Sequence, residues 1–277
     1  MCQLEQAIKN LLITVHNNSI IPDIDVKDLD YEWKQSRKTW DEEKVNDYFF
    51  ILRGEILSSL IEKTDMTEIL KKIVRSWGGI KSLGNDKYSN YQMIIRKLWE
   101  NNEFEIEIGP KNDKLIITID PNCPVCYNCV KKKTNRMNKK RITPLSTWTK
   151  VLAAYDPTRF WIYDARVALA LRFLSNIENG LEHYNWFIPA SRQYLHEMTV
   201  LLNADLDVAA PKESYQKYIS LLLCQEEDRA SANRIIKTAS HFEKRLFMLG
   251  GKLRDLYKTG TPETQNAIIA LARTTAN

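Results

Sequence analysis

Hydrophobic positions along the chain recur mainly at the spacing of an amphipathic helix. Residues three and four apart lie on one helix face, so apolar side chains at that spacing predict a helix with one buried side. Two sets follow this pattern, namely Val45, Tyr48, Phe49, Leu52 and Ile56, and Tyr215, Tyr218, Ile219 and Leu222. Residues 241–251 predict a further helix that ends or kinks at Gly250 and Gly251. A last helix should follow, capped by Thr261 and opened by Pro262.

One segment, residues 104–120, breaks the helical pattern. Its apolar and polar residues alternate on both sides of a Gly-Pro-Lys-Asn-Asp turn, which predicts a β-hairpin. Cysteines and then basic residues cluster directly after it. We therefore expect an N-terminal helical part ending in the hairpin (residues 1–120), a Cys-rich and basic connector (residues 121–141) and a C-terminal helical part (residues 142–277).

The composition indicates a globular protein of the cytoplasm. The 277 residues are 44% hydrophobic and 27% charged, as in ordinary globular domains. No apolar run reaches the roughly 18 residues of a membrane span. The N-terminal residues lack a basic region and a small-residue cleavage site, which predicts no signal peptide. The five cysteines are unevenly spaced, which argues against an oxidised secreted scaffold.

The distribution of charge indicates a polyanionic partner. The net charge is +5, but residues 131–141 alone hold seven basic residues among eleven. Such a block repels itself and binds anions, most often phosphate backbones. The alternative is a solvated surface loop. The basic residues are Lys131, Lys132, Lys133, Arg136, Lys139, Lys140 and Arg141.

Two predicted helices carry Lys150 and Asp164. On the first, Lys150 falls opposite an apolar face formed by Trp148, Val151, Leu152 and Tyr155, with Ser146 or Thr147 as the cap. The second has a buried stripe of Val167, Ala170, Leu171 and Leu174, and Asp164 occupies its N-cap position. Spacing alone thus makes Lys150 a surface lysine and Asp164 a helix cap.

The order of features in this region resembles the helix-hairpin-helix DNA glycosylases, in particular their 8-oxoguanine-glycosylase-like branch. The matching stretches are the "TKV" opening of the first helix, a Pro-containing loop and "IYDARV", while "HFEKRLFMLG" resembles the closing helix of that branch. In the family, a lysine on the second hairpin helix is followed, after a loop, by an aspartate that starts the next helix. Lys150 and Asp164 match these two residues. Ser146 and Trp148 stand where the family hairpin has glycines.

The resemblance implies a mainly α fold, a helix-hairpin-helix glycosylase-like helical bundle with one small β-hairpin. It implies an enzyme, a DNA N-glycosylase that flips out a modified or damaged base and leaves an abasic site. Lys150 would be the nucleophile and Asp164 the catalytic carboxylate. DNA contacts would come from the basic block and from the hairpin residues Ser146, Thr147, Trp148 and Thr149.

The residue types suit this chemistry. A glycosylase acts on a base taken out of the stack, and the C1′–N bond breaks through a cationic sugar. A carboxylate near C1′ stabilises that charge. A lysine amine with a lowered pKa can attack C1′ and form a Schiff base, which leaves open a lyase step. The branch suggests an 8-oxoguanine-like purine, and antiviral members of the superfamily suggest a hypermodified phage cytosine.

The implied partner is double-stranded DNA containing a modified base, in the nucleoid of a prokaryotic cytoplasm. Nothing in the sequence indicates a membrane or an obligate protein partner, and the chemistry requires no cofactor. A structural zinc is a separate expectation. Cys123, Cys126 and Cys129 follow a C-x-x-C-x-x-C spacing that lets thiolates converge on one zinc or iron–sulfur site.

A full metal site needs a fourth ligand, for which the candidates by type are Cys2, Cys224, His16, His183, His196 and His241. The alternative is three reduced thiols without metal. Two other classes of function also stay open. One is a non-catalytic DNA-binding helix-hairpin-helix module in which Asp164 only caps a helix. The other is a metal-stapled interaction protein.

Overall fold

The computed structural model describes residues 3–35, 38–77, 85–101, 103–107, 114–119, 127–130, 145–157, 160–189, 211–223 and 232–273. Most of these residues lie in helices, so the predicted mainly helical class is confirmed. In chain order the helices are α1 (Gln3–His16), α2 (Glu42–Ile61), α3 (Thr67–Lys71), α4 (Asn85–Asn101), α5 (Leu145–Tyr155), α6 (Ala165–Leu174), α7 (Pro211–Leu223), α8 (Ala232–Thr259) and α9 (Pro262–Arg273).

Shorter elements separate some of the helices. A 3₁₀ helix spans Val26–Leu29 and a π-helical turn spans Lys72–Trp77. The strands are β1 (Glu32–Gln35), β2 (Lys38–Asp41), β3 (Glu103–Glu107), β4 (Lys114–Ile119) and β5 (Tyr127–Val130).

The chain forms two compact units. The first combines residues 1–33 with residues 163–277, and the second comprises residues 34–162. This division does not follow the three predicted parts, because the N-terminal helix α1 contacts α6 and so joins the C-terminal helices.

Helix α6 lies at the core of the first unit. Nine of its ten residues are buried, a wider buried surface than the predicted stripe of Val167, Ala170, Leu171 and Leu174. A helix that is apolar on nearly all sides must be covered on all sides. Within this unit α6 contacts α1, α8 and α9, and its contact with α8 is the most extensive between any two described elements.

Helix α8 corrects one prediction. The sequence predicts that the helix ends or kinks at Gly250 and Gly251, but α8 runs through both residues and ends at Thr259. Both glycines are buried, and a neighbouring helix approaches the backbone of Gly250 closely, as described below. They therefore serve packing and not termination. The next helix begins at Pro262 as predicted, with the Thr261 hydroxyl accepting from the Thr264 amide at 3.3 Å.

The predicted apolar faces of α2 and α7 are largely confirmed. Val45, Phe49, Leu52 and Ile56 of α2 are buried and Tyr48 is half-buried, and all four predicted residues of α7 are buried. The predicted hairpin is also present, since β3 and β4 pair antiparallel with Glu103 opposite Thr118 and Glu107 opposite Lys114. Strand β5, which the sequence pattern did not predict, adds to β4 on its other side.

Among the helices that the structure describes, none combines the length and the apolarity needed to cross a bilayer.

Because α6 lies at the core of the first unit, we expect a large loss of stability when one of its buried side chains is shortened. Leu171 is fully buried, so Leu171→Ala should lower the free energy of unfolding by about 2–5 kcal/mol through lost burial and a residual cavity. Denaturant unfolding followed by circular dichroism measures this. Ile13→Ala is the control, because Ile13 on α1 is 57% exposed and should change stability by no more than about 0.5 kcal/mol. Equal losses of stability from the two substitutions would contradict the central position of α6 in the core of the first unit.

Candidate active site

Asp164 opens helix α6 and caps its N-terminus. Its backbone is extended (φ −114°, ψ −177°). Its Oδ1 atom accepts hydrogen bonds from the amides of Arg166 at 2.9 Å and Val167 at 3.2 Å. These amides belong to the first turn, where a helix provides no carbonyl partners of its own. The predicted N-cap is therefore confirmed, and the half-buried carboxylate is held in one orientation by the backbone of α6.

One charged and two aromatic side chains lie together beside the first turn of α6, on the side that faces α8. The guanidinium of Arg166 lies over the ring of Phe247, 4.5 Å from its centroid, and Tyr31 packs against the same ring at 5.9 Å. Burial lowers the pKa of Arg166, and the nearby carboxylate of Asp164 opposes that shift. Asp164 thus has a cation within electrostatic reach in its own unit.

Buried tyrosines adjoin Asp164 in the same unit. Tyr163 precedes it in the chain, is fully buried, and donates its hydroxyl to the carbonyl of Phe187 at 2.7 Å. The rings of Tyr163 and Tyr218 lie 5.4 Å apart. Burial raises the pKa of Tyr218 well above its usual value, and the carboxylates of Glu243 and Asp164 raise it further. Tyr218 is therefore a neutral phenol in the field of Asp164.

The sequence pattern does not show that Tyr218 lies near Asp164 or that Phe247 packs against Arg166. The helical spacing of Tyr215 and Tyr218 indicated an apolar helix face, which is correct. No sequence signal links that face to Asp164, because the neighbourhood arises from tertiary packing. Four aromatic residues that flank Asp164 in the chain are also buried, namely Phe160, Trp161, Trp186 and Phe187.

Lys150 lies in α5 and is only 7% exposed. Its ammonium donates to the Ser146 carbonyl oxygen, one helical turn earlier, at 3.2 Å. The surface position that the spacing predicts for Lys150 is therefore wrong. Within the second unit α5 contacts α2, α4 and the π-helical turn, and the neighbouring Thr147 and Thr149 are also buried. A helix covered on several sides buries its polar face together with its apolar one.

The predicted hairpin contacts fall on the first turn of the same helix. Since α5 begins at Leu145, Ser146 and Thr147 lie inside the helix and do not precede it. Thr147, Trp148 and Thr149 are buried, and Ser146 is half-buried. The Trp148 ring meets the Tyr91 ring edge to face, with centroids 4.3 Å apart, and burial raises the pKa of Tyr91. DNA contact by these four residues stays a prediction, and Ser146 has the most exposed side chain of the four.

Most of the remaining predicted site residues lie outside the part of the chain that the structure describes. The basic block, Lys131, Lys132, Lys133, Arg136, Lys139, Lys140 and Arg141, lies outside the described residues, as do Cys123 and Cys126. Cys129 lies in β5, opposite Ile117 of β4. Within the part of the chain that the structure describes, no group of three His, Cys, Asp or Glu side chains is placed to hold a metal ion. A zinc bound by the cysteine triplet stays a prediction.

Lys150 belongs to the second unit and Asp164 to the first, so their pairing as nucleophile and carboxylate also stays a prediction. Comparison of the chain with protein-family models, with curated proteins and with solved structures finds no match.

The capping geometry predicts how α6 responds to substitution of Asp164. Asp164→Ala removes the acceptor for two amides and should lower the free energy of unfolding by about 0.5–2 kcal/mol. Asp164→Asn keeps a side-chain oxygen of similar capping strength and should stay within a few tenths of a kcal/mol of the wild type. Urea unfolding of the three proteins measures both effects. A loss with Asp164→Asn as large as that with Asp164→Ala would show that charge, and not the hydrogen bonds, holds the cap.

Proposed function

We propose that the protein is a DNA glycosylase of the helix-hairpin-helix type, which excises a modified or damaged base and leaves an abasic site. The observation that carries the proposal is the position of Asp164. It opens a buried helix, after a helix that contains Lys150, in the order that the resemblance implies for the catalytic aspartate. Its carboxylate is half-buried and fixed by the amides of Arg166 and Val167.

A fixed carboxylate suits the chemistry of base excision. When the bond from C1′ to the base breaks, its electron pair leaves with the base and positive charge develops on the sugar. A carboxylate already oriented by two amide hydrogen bonds needs no reorganisation to stabilise that charge. The buried, uncharged rings of Tyr163 and Tyr218 would lower the local dielectric near this carboxylate and so strengthen its interaction with the cationic sugar.

Lys150 would serve as the nucleophile in a bifunctional reaction. Its amine forms a bond to C1′ and loses a proton, while the departing base takes one up, so charges balance. Opening of the sugar ring then gives a Schiff base, from which strand cleavage can follow. Without this step, water attacks C1′ and Asp164 alone supports a monofunctional enzyme.

The proposed substrate is double-stranded DNA that carries either an 8-oxoguanine-like purine or a hypermodified phage cytosine, the latter in antiviral defence. The basic residues 131–141 would hold DNA phosphates. Their contribution should fall steeply as salt rises, because each neutralised phosphate releases a counterion.

Borohydride trapping tests the role of Lys150. Duplexes containing 8-oxoguanine, 5-hydroxymethylcytosine or glucosylated 5-hydroxymethylcytosine are incubated with the protein and sodium borohydride, which reduces a Schiff base to a stable adduct. We expect an adduct with the wild type and none with Lys150→Ala. Lys244→Ala is the matched control, because Lys244 is the other lysine among the described residues that is buried to this degree.

An adduct that survives in Lys150→Ala but is lost in Lys244→Ala would transfer the nucleophile role to Lys244. Base release without any adduct would identify a monofunctional enzyme that depends on Asp164.

Substitution of Asp164 by asparagine tests the carboxylate. Because Asn retains the cap and removes only the charge, Asp164→Asn should fold normally and slow single-turnover base release by about 10²–10³-fold. Asp41→Asn is the matched control, since Asp41 caps α2 by accepting from the Lys44 amide at 2.9 Å. It should release base at the wild-type rate.

The capping geometry also favours a second candidate, a non-catalytic DNA-binding module in which Asp164 is purely structural. DNA binding by the wild type with no base release from any of the modified duplexes would support that module and contradict the glycosylase.

A further inference from the structure

Helices α8 and α6 approach each other very closely at Gly250. An ideal Cβ atom on Gly250 would lie 1.9 Å from the carbonyl oxygen and 2.6 Å from the carbonyl carbon of Arg166. Real Cβ atoms essentially never come within 3.0 Å of a heavy atom outside their own residue and its immediate chain neighbours. The obstacle is helix backbone and not a flexible side chain, so it cannot turn aside. The position therefore requires glycine, although glycine is unfavourable inside a helix.

Gly250 is one of three residues by which one face of α8 holds Arg166. Phe247, Gly250 and Gly251 are spaced i, i+3 and i+4, so they lie side by side. Phe247 lies under the guanidinium of Arg166, Gly250 meets its backbone, and the Cβ position of Gly251 lies 3.8 Å from its Cδ atom. We call these three residues the Arg166 cradle.

The Arg166 cradle contacts the residue whose amide helps to orient the Asp164 carboxylate. The amide of Arg166 donates to Asp164 Oδ1 at 2.9 Å, and the next amide, that of Val167, donates to the same oxygen. The first turn of a helix has no preceding turn to hold it and frays readily. A displacement of Arg166 would therefore move both donors and, with them, the carboxylate.

We infer that Gly250 is a positioning residue for Asp164: its missing side chain lets α8 fix the first turn of α6 and thereby the carboxylate that this turn orients. The catalytic consequence rests on the proposed function, whereas the geometric link does not.

The test compares Gly250→Ala with Gly251→Ala. Both substitutions replace a buried glycine of the same helix by the same residue and gain the same helix propensity. A Cβ atom on Gly251 meets only an ordinary contact at 3.8 Å, so Gly251→Ala should leave the Asp164 cap intact. Gly250→Ala should push the first turn of α6 away.

Two measurements follow the effect. Amide hydrogen exchange of Arg166 and Val167 reports the cap directly and requires no catalysis. We expect exchange on the order of tenfold faster at these two residues in Gly250→Ala, with Leu171 and Leu174 of the same helix unchanged. A merely structural role would speed exchange along the whole helix. Single-turnover base release, measured on the modified duplex from which the wild type excises the base, should slow on the order of a hundredfold. The Kd for that duplex should stay unchanged.

Phe247→Leu provides a second route if Gly250→Ala does not fold. It removes the ring under Arg166 without a backbone clash and should speed exchange at Arg166 and Val167 by about threefold. Phe242→Leu, the same substitution at a buried position of α8 outside the cradle, should not.

Wild-type exchange at Arg166 and Val167 in Gly250→Ala, or uniform acceleration along α6, would overturn the inference whether or not the protein is an enzyme. Selective acceleration in a protein that releases no base would support the geometric link and reject the proposed function alone.

Discussion

The packing of α8 on α6 is the contact on which the first unit depends. Helix α6 is buried over nine of its ten residues, so it cannot exist without cover on every side. Helix α8 is the longest described helix and contacts α6, α7, α9 and the 3₁₀ helix. The backbones of the two helices approach very closely at Arg166 and Gly250. The core is consequently fixed at the same end of α6 that carries Asp164.

Features that depend on neighbouring residues in the chain could be predicted from the sequence. The apolar faces of α2 and α7, the caps at Asp164 and Thr261, and the pairing of β3 with β4 all follow from local spacing or turn chemistry. Strand β5 could not be predicted in this way. Its four residues, Tyr127–Val130, are too short to show an alternating pattern, and its place is decided by pairing with β4.

Features that depend on distant residues were predicted wrongly or not at all. The spacing placed Lys150 on a solvent-facing side, whereas α5 is covered by three other elements of its unit. Gly250 and Gly251 suggested a helix end, because the sequence contains no sign that another backbone passes beside them. The joining of α1 to the C-terminal helices likewise leaves no trace in composition. In each case the deciding partner lies far away in the chain.

Capping and the proposed catalysis are compatible roles for Asp164, because the cap fixes the orientation of its carboxylate. A free aspartate side chain samples several rotamers, whereas the amides of Arg166 and Val167 select one. A carboxylate that caps a helix is therefore already held in a fixed orientation, as a catalytic group needs to be. Asparagine separates the two roles, because it can satisfy the amides equally well but cannot stabilise a positive charge.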